Sequence, residues 1–154
     1  MPHSPRIHRG ELWITNSGTG HFGRVDLGRG SFEPITFAPG FLRGLSLHGD
    51  YALVGSSRFR DGGLYSGLPL DAALEKAGTG PKLGVFVVDL RTGSIAEWLL
   101  VDGPMYELFD VIALPGIRRP MALGLISDEI EQQIWFDSGR LGAAGDRAAE
   151  EGRV

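Results

Sequence analysis

Trp13-Ile-Thr-Asn-Ser, Gly23-Arg-Val-Asp-Leu-Gly-Arg-Gly and Phe41-Leu-Arg-Gly-Leu-Ser-Leu-His-Gly form an ordered set of strand-like runs. The order returns in Tyr51-Ala-Leu-Val-Gly-Ser-Ser, Val87-Val-Asp-Leu-Arg-Thr-Gly and Leu108-Phe-Asp-Val-Ile-Ala-Leu-Pro-Gly, and Met121-Ala-Leu-Gly-Leu-Ile-Ser opens a third copy. Each run is short, rich in β-branched and aromatic residues, and closed by glycine turns, so each copy predicts a small antiparallel sheet. Sheets repeated in this way predict an all-β, incomplete β-propeller-like array of about two and a half repeats. We place the blade repeats at about 11–50, 51–116 and 121–137 within one partial domain, 1–137, with a flexible tail at 138–154.

The spacing between copies locates an insertion. Leu12 maps to Ala52, 40 residues on, and Asp26 to Asp89, 63 residues on, so the second copy carries 23 extra residues, at about 58–82. Within it, Leu68-Pro-Leu-Asp-Ala-Ala-Leu-Glu-Lys-Ala-Gly predicts one short helix, capped by Asp71 and ended by Gly78. Such an insertion is a natural place for a lid or a partner contact.

Composition narrows the classes. Glycine is 24 of 154 residues, more than twice the roughly 7% of average usage. These glycines lie between apolar runs, as turn residues do. The net charge of −4 and the absence of a basic block argue against a nucleic-acid partner. No apolar run approaches the length of a membrane span, and the N-terminus has no signal-peptide core. With no cysteine there is no disulfide framework, thiolate zinc site or cysteine nucleophile, and the expected compartment is the cytoplasm.

The candidate site residues are His3, Arg6, Asn16, Arg43, Glu107, Asp110 and Arg118. His3 and Arg6 stand in a Pro-punctuated segment that either lines a central channel or serves as a connector between blades. Asn16 opens a polar glycine-containing loop for which turn chemistry is the simpler reading. Arg43 and Asp110 fall one position apart in the repeat, on the last strand of their copies, with Glu107 nearby; a charge inside an apolar strand either pairs or faces a polar channel. Arg118, beside Arg119, has the forked donors that recognise carboxylate or phosphate. Asp26 and Asp89 repeat at matching places and read as turn caps rather than catalysts. Asp128, Glu129 and Glu131 lack calcium-loop spacing and read as a charged edge. His3, His8, His21 and His48 match no helical metal motif, and no metal or other cofactor is expected.

Longer strings carry a resemblance: Met1-Pro-His-Ser-Pro-Arg, Leu12-Trp, Asn16-Ser-Gly-Thr-Gly, Phe41-Leu-Arg-Gly-Leu, His48-Gly-Asp-Tyr-Ala, Ser66-Gly-Leu-Pro-Leu and Arg118-Arg-Pro-Met-Ala-Leu-Gly. Over about residues 1–130 the chain resembles a bacterial family of conserved hypothetical proteins with a domain of unknown function. The resemblance implies a propeller-like fold in which this chain matches the C-terminal half of longer members. It implies no particular activity.

Two classes of function stay open at this point. The first is a non-catalytic module that binds a small molecule or another protein. The rival is a portion of a propeller enzyme, of hydrolase or isomerase type, with a channel-bound divalent cation, for which Asn16, Glu107 and Asp110 are first guesses. A truncated product without independent function is a third reading. An incomplete array exposes blade edges, so self-association is the expected partner behaviour.

Overall fold

A computed structural model describes residues 1–58 and 67–120. The chain divides into two compact units, Met1–Pro115 and Gly116–Val154, and every strand and helix described here lies in the first. The third predicted copy, the acidic run at 128–131 and the tail lie outside the described residues, as does part of the insertion.

The fold is mostly β. Among the described residues eight strands run β1 Pro2–His8, β2 Glu11–Asn16, β3 His21–Asp26, β4 Ser31–Phe37, β5 Phe41–His48, β6 Tyr51–Ser57, β7 Gly84–Asp89 and β8 Ile95–Leu100, with helix α1 at Pro69–Lys76. They form two four-stranded antiparallel sheets in sequential order, β1-β2-β3-β4 and β5-β6-β7-β8, and neither closes into a barrel. Each sheet is a plain meander, the topology of a blade.

The grouping of strands differs from the sequence reading at both ends of the first repeat. Pro2–His8 is a strand although two prolines punctuate it, because β1 is an edge strand whose missing N–H groups break no ladder. The run at 41–48, read as the close of the first copy, pairs with β6 and leads the second sheet. Its apolar pattern is the same in either sheet, so only pairing assigns it.

Repetition extends to backbone detail. In β1 the register slips between His3 and Arg6 around Ser4 (φ 51°), and in β5 between Leu42 and Leu45 around Gly44 (φ 81°). The matching Asp residues close matching turns. Asp26 Oδ1 accepts from the backbone N–H of Gly28 (2.9 Å) and Arg29 (3.0 Å), and Asp89 Oδ1 from that of Arg91 (2.9 Å). Gly30 and Gly93 then donate to the Asp carbonyls at 2.8 Å from positive-φ backbone, so both aspartates act as turn caps.

The core lies where the sheets face one another through β1, β2 and β5. Trp13 and Phe22 from one sheet meet Leu42, Leu45, Ala52, Val54, Phe86 and Val88 from the other. The Trp13 and Phe22 rings stack at 5.3 Å and 14°. Burying such side chains stabilises the fold by about 1.5–3 kcal/mol each. The outward faces are apolar too. Cross-strand pairing sets Ile7, Leu12, Val25 and Phe32 on the far face of the first sheet, and Leu53, Val85, Val87 and Leu99 on that of the second. Strands apolar on both faces belong to sheets meant to be covered on both sides.

Helix α1 docks into the first unit through Leu70 and Leu74, which join Phe41 in a second core cluster. Its N-cap is Leu68, with no capping side chain there. Asp71 lies inside the first turn and accepts instead from the Gly67 backbone N–H at 2.7 Å. Gly78 (φ 63°) ends the helix by donating to the Glu75 carbonyl at 3.0 Å. Among the described residues, no helix is long and apolar enough to cross a membrane.

Candidate functional site

The polar side chains that the sequence singles out gather mainly on the leading strands of the repeats. β1 and β5 lie side by side, and the segment 106–113 follows β5 in the same manner. A repeated serine fastens each step. Ser17 Oγ donates to the Leu42 carbonyl. Forty residues on, Ser57 Oγ accepts from the Leu108 N–H at 2.9 Å and donates to its carbonyl at 3.3 Å. The hydroxyls satisfy backbone groups that no ladder partner reaches. The sequence places Ser17 in the polar loop with Asn16 and Thr19, read as turn chemistry, and passes over Ser57; their identical place, 40 residues apart, was the available signal.

Phasing the repeats on their turn glycines refines one alignment. Gly49 (φ 58°) and Gly116 (φ 79°) lie 67 residues apart, and the same spacing separates Arg43 from Asp110. His3 stands 40 residues before Arg43. Phased on these glycines, His3, Arg43 and Asp110 share one place in three successive leading segments; phased on the serine bonds, which match Leu42 with Leu108, Asp110 stands one place further on.

Gly44 lets these segments approach. A Cβ there would lie 2.6 Å from the Val111 amide nitrogen and 2.8 Å from Asp110 backbone atoms, so only glycine fits both the space and the φ of 81°. Arg6 reaches past β5 to Asp110, with Nη2 donating to both carboxylate oxygens at 3.2 Å. The pair spans a groove of about 230 Å³ whose wall includes Ser46 and Ile112. Arg43 lies over the Phe109 ring, 4.9 Å from its centre. His3 meets Phe41 edge-on at 5.6 Å. The His3 imidazole is held below its ordinary value, first by burial and then by the positive charges of Arg43 and the N-terminus. Cationic groups thus crowd one stretch of the leading strands, with Asp110 as counter-charge.

The remaining candidates lie elsewhere or do other work. Asn16 Oδ1 accepts from the N-terminal ammonium at 3.1 Å and closes the β2 end of a loop whose bonds are local. Glu107 is half-buried on the third leading segment. Arg118 is exposed and belongs to the second compact unit. The histidines part company: His8 Nε2 bonds the Gly49 carbonyl at 2.9 Å, His21 Nδ1 that of Thr19 at 2.9 Å, and His48 is exposed. No group of three His, Asp or Glu side chains placed to hold a metal ion occurs among the described residues.

A match over residues 1–123 places this architecture in a family. The chain belongs to the domain of unknown function family DUF4915. That stretch takes in both sheets of the DUF4915 domain, helix α1 and all the leading-segment residues described above. Comparison with curated proteins and with solved structures found no match.

Proposed function

We propose that this DUF4915 domain is a portion of a bacterial, cytoplasmic propeller-like array and works as a non-catalytic module binding a small anion on its leading strands. The observation that carries the reading is the gathering of His3, Arg43 and Asp110 on three successive leading segments, with Arg6 bonded to Asp110. Arginine forks suit carboxylate and phosphate, and the neighbouring imidazole can take up a proton as an anion arrives. The exposed Arg6–Asp110 pair is worth at most about 1 kcal/mol, so Arg6 can exchange Asp110 for a ligand at little cost to the fold. The apolar outward faces support the array: each sheet is shaped to receive a neighbour.

The test is calorimetric titration of the full chain with inorganic phosphate and with malonate. Saturable binding is expected, weakened about tenfold or more in Arg43→Met and Arg6→Gln while their melting curves stay near that of the wild type. Equal affinity in the wild type and both variants, or no binding at millimolar anion, would overturn the reading.

A further inference from the structure

A second cavity, away from the leading-strand cluster, opens between the sheets at their turn end. It encloses about 380 Å³, and its wall includes Arg9, Glu11, Trp13, Arg24, Ile35 and Arg91. Pockets that enclose small molecules begin near this size. Its walls are tied in place before any ligand arrives. Arg9 pairs with Asp50 at 2.7 Å, Leu90 N–H donates to the Asp50 carbonyl at 2.9 Å, and Thr36 Oγ1 donates to the Gly93 carbonyl at 2.8 Å. The turn packs closely on β4, where a Cβ on Gly93 would meet Ile35 Cγ2 at 2.9 Å.

Two residues of this wall hold buried donors without an acceptor. Trp13 Nε1 and Arg24 Nε are closed to solvent and find no hydrogen-bond acceptor among the described residues. Buried N–H groups are nearly always paired, so an orphan asks for an explanation. Here two occur on neighbours: Trp13 and Arg24 are cross-strand partners, and the guanidinium lies 5.8 Å from the indole centre. Both groups donate and neither accepts, so what would satisfy them carries oxygen lone pairs. The wall carries three arginines, each paired with a carboxylate, Arg9 with Asp50, Arg24 with Glu11 and Glu33, and Arg91 with Asp89, so a ligand carboxylate competes for guanidinium forks already in place. Ile35 and Leu90 add apolar surface.

We propose that this cavity binds a small organic carboxylate, with its apolar body against Ile35 and Leu90 and its oxygens accepting from Trp13 Nε1 and Arg24 Nε. Entry requires the partly exposed Arg24 head to loosen its pairs with Glu11 and Glu33, which exposed ion pairs permit at little cost. None of His3, Arg6, Arg43 and Asp110 lines this cavity, although His8 borders both it and the Arg6–Asp110 groove, so either site can fail without the other.

The experiment is a ¹⁵N-¹H NMR titration of the labelled full chain with benzoate, and with benzyl alcohol as the uncharged probe of similar shape. Trp13→Phe assigns the indole N–H signal. Benzoate should move the Trp13 indole and Arg24 Nε signals saturably, whereas benzyl alcohol should not. Arg9→Gln, an exposed change, should weaken the response several-fold, and Arg43→Met should leave it unchanged. Equal responses to both probes, no response, or a response that never saturates would each overturn the proposal.

Discussion

Gly44→Ala, set against Gly49→Ala, tests the account of how the leading segments are stacked. Both glycines have positive φ, 81° and 58°, so alanine at either pays for a left-handed backbone, about 1–2 kcal/mol. They differ in surroundings. A Cβ at Gly49 meets nothing within 4 Å, whereas one at Gly44 would lie 2.6 Å from the Val111 nitrogen and 2.8 Å from Asp110 backbone atoms. The struck atoms are backbone and cannot rotate away, so β5 and the 106–113 segment must separate by several tenths of an ångström. Overpacking of this kind adds about 1–3 kcal/mol. The expected losses are therefore about 1–2 kcal/mol for Gly49→Ala and about 2–5 kcal/mol for Gly44→Ala, the latter a large part of the roughly 5–15 kcal/mol that holds a domain together. Urea unfolding followed by circular dichroism measures both, with the slope checked for constancy. Calorimetry with malonate should also show weaker binding for Gly44→Ala, because Asp110 and Arg6 lose their spacing. Losses within about 0.5 kcal/mol of each other would refute the close approach at Gly44.

Further expectations concern charge and assembly. The His3 imidazole titrates below its ordinary value, so its protonation opposes folding: the stability it confers is full above about pH 6.5 and declines as pH falls below that. An NMR pH titration should show the His3 midpoint rising in Arg43→Met, and an unmoved midpoint would remove Arg43 from its surroundings. Asp89 is held below the usual carboxylate range chiefly by the Arg91 side-chain hydrogen bond, so its contribution is present above about pH 3.9 and fades in stronger acid. Melting curves of Asp89→Asn should accordingly lose less on acidification from pH 5 to pH 3 than those of the wild type, and parallel losses would count against the cap. Ile7 and Leu99 are 69% and 66% exposed on the two outward apolar faces. Light scattering after size exclusion should show self-association of the wild type that Ile7→Glu or Leu99→Glu abolishes; a monomeric wild type would refute it.

Sequence patterning by itself determined the class of fold and much of its punctuation. Alternating apolar runs closed by glycine are enough to specify antiparallel strands, because side-chain period and turn conformation are local properties. The Asp26 and Asp89 caps, the helix before Gly78 and the 40-residue step from Leu12 to Ala52 were legible for that reason. Tertiary structure alone decided which strands share a sheet. The Pro-containing β1 became an edge strand, and β5 moved to the second sheet, because pairing is a long-range choice that local pattern leaves open. It also decided the site. His3, Arg6, Arg43 and Asp110 are far apart in the chain, and they converge because Gly44 admits the third segment against β5 and the repeated serines hold each step. The cavity beside Trp13 and Arg24 left no mark in the sequence, since an unpaired buried donor exists only once packing has closed around it.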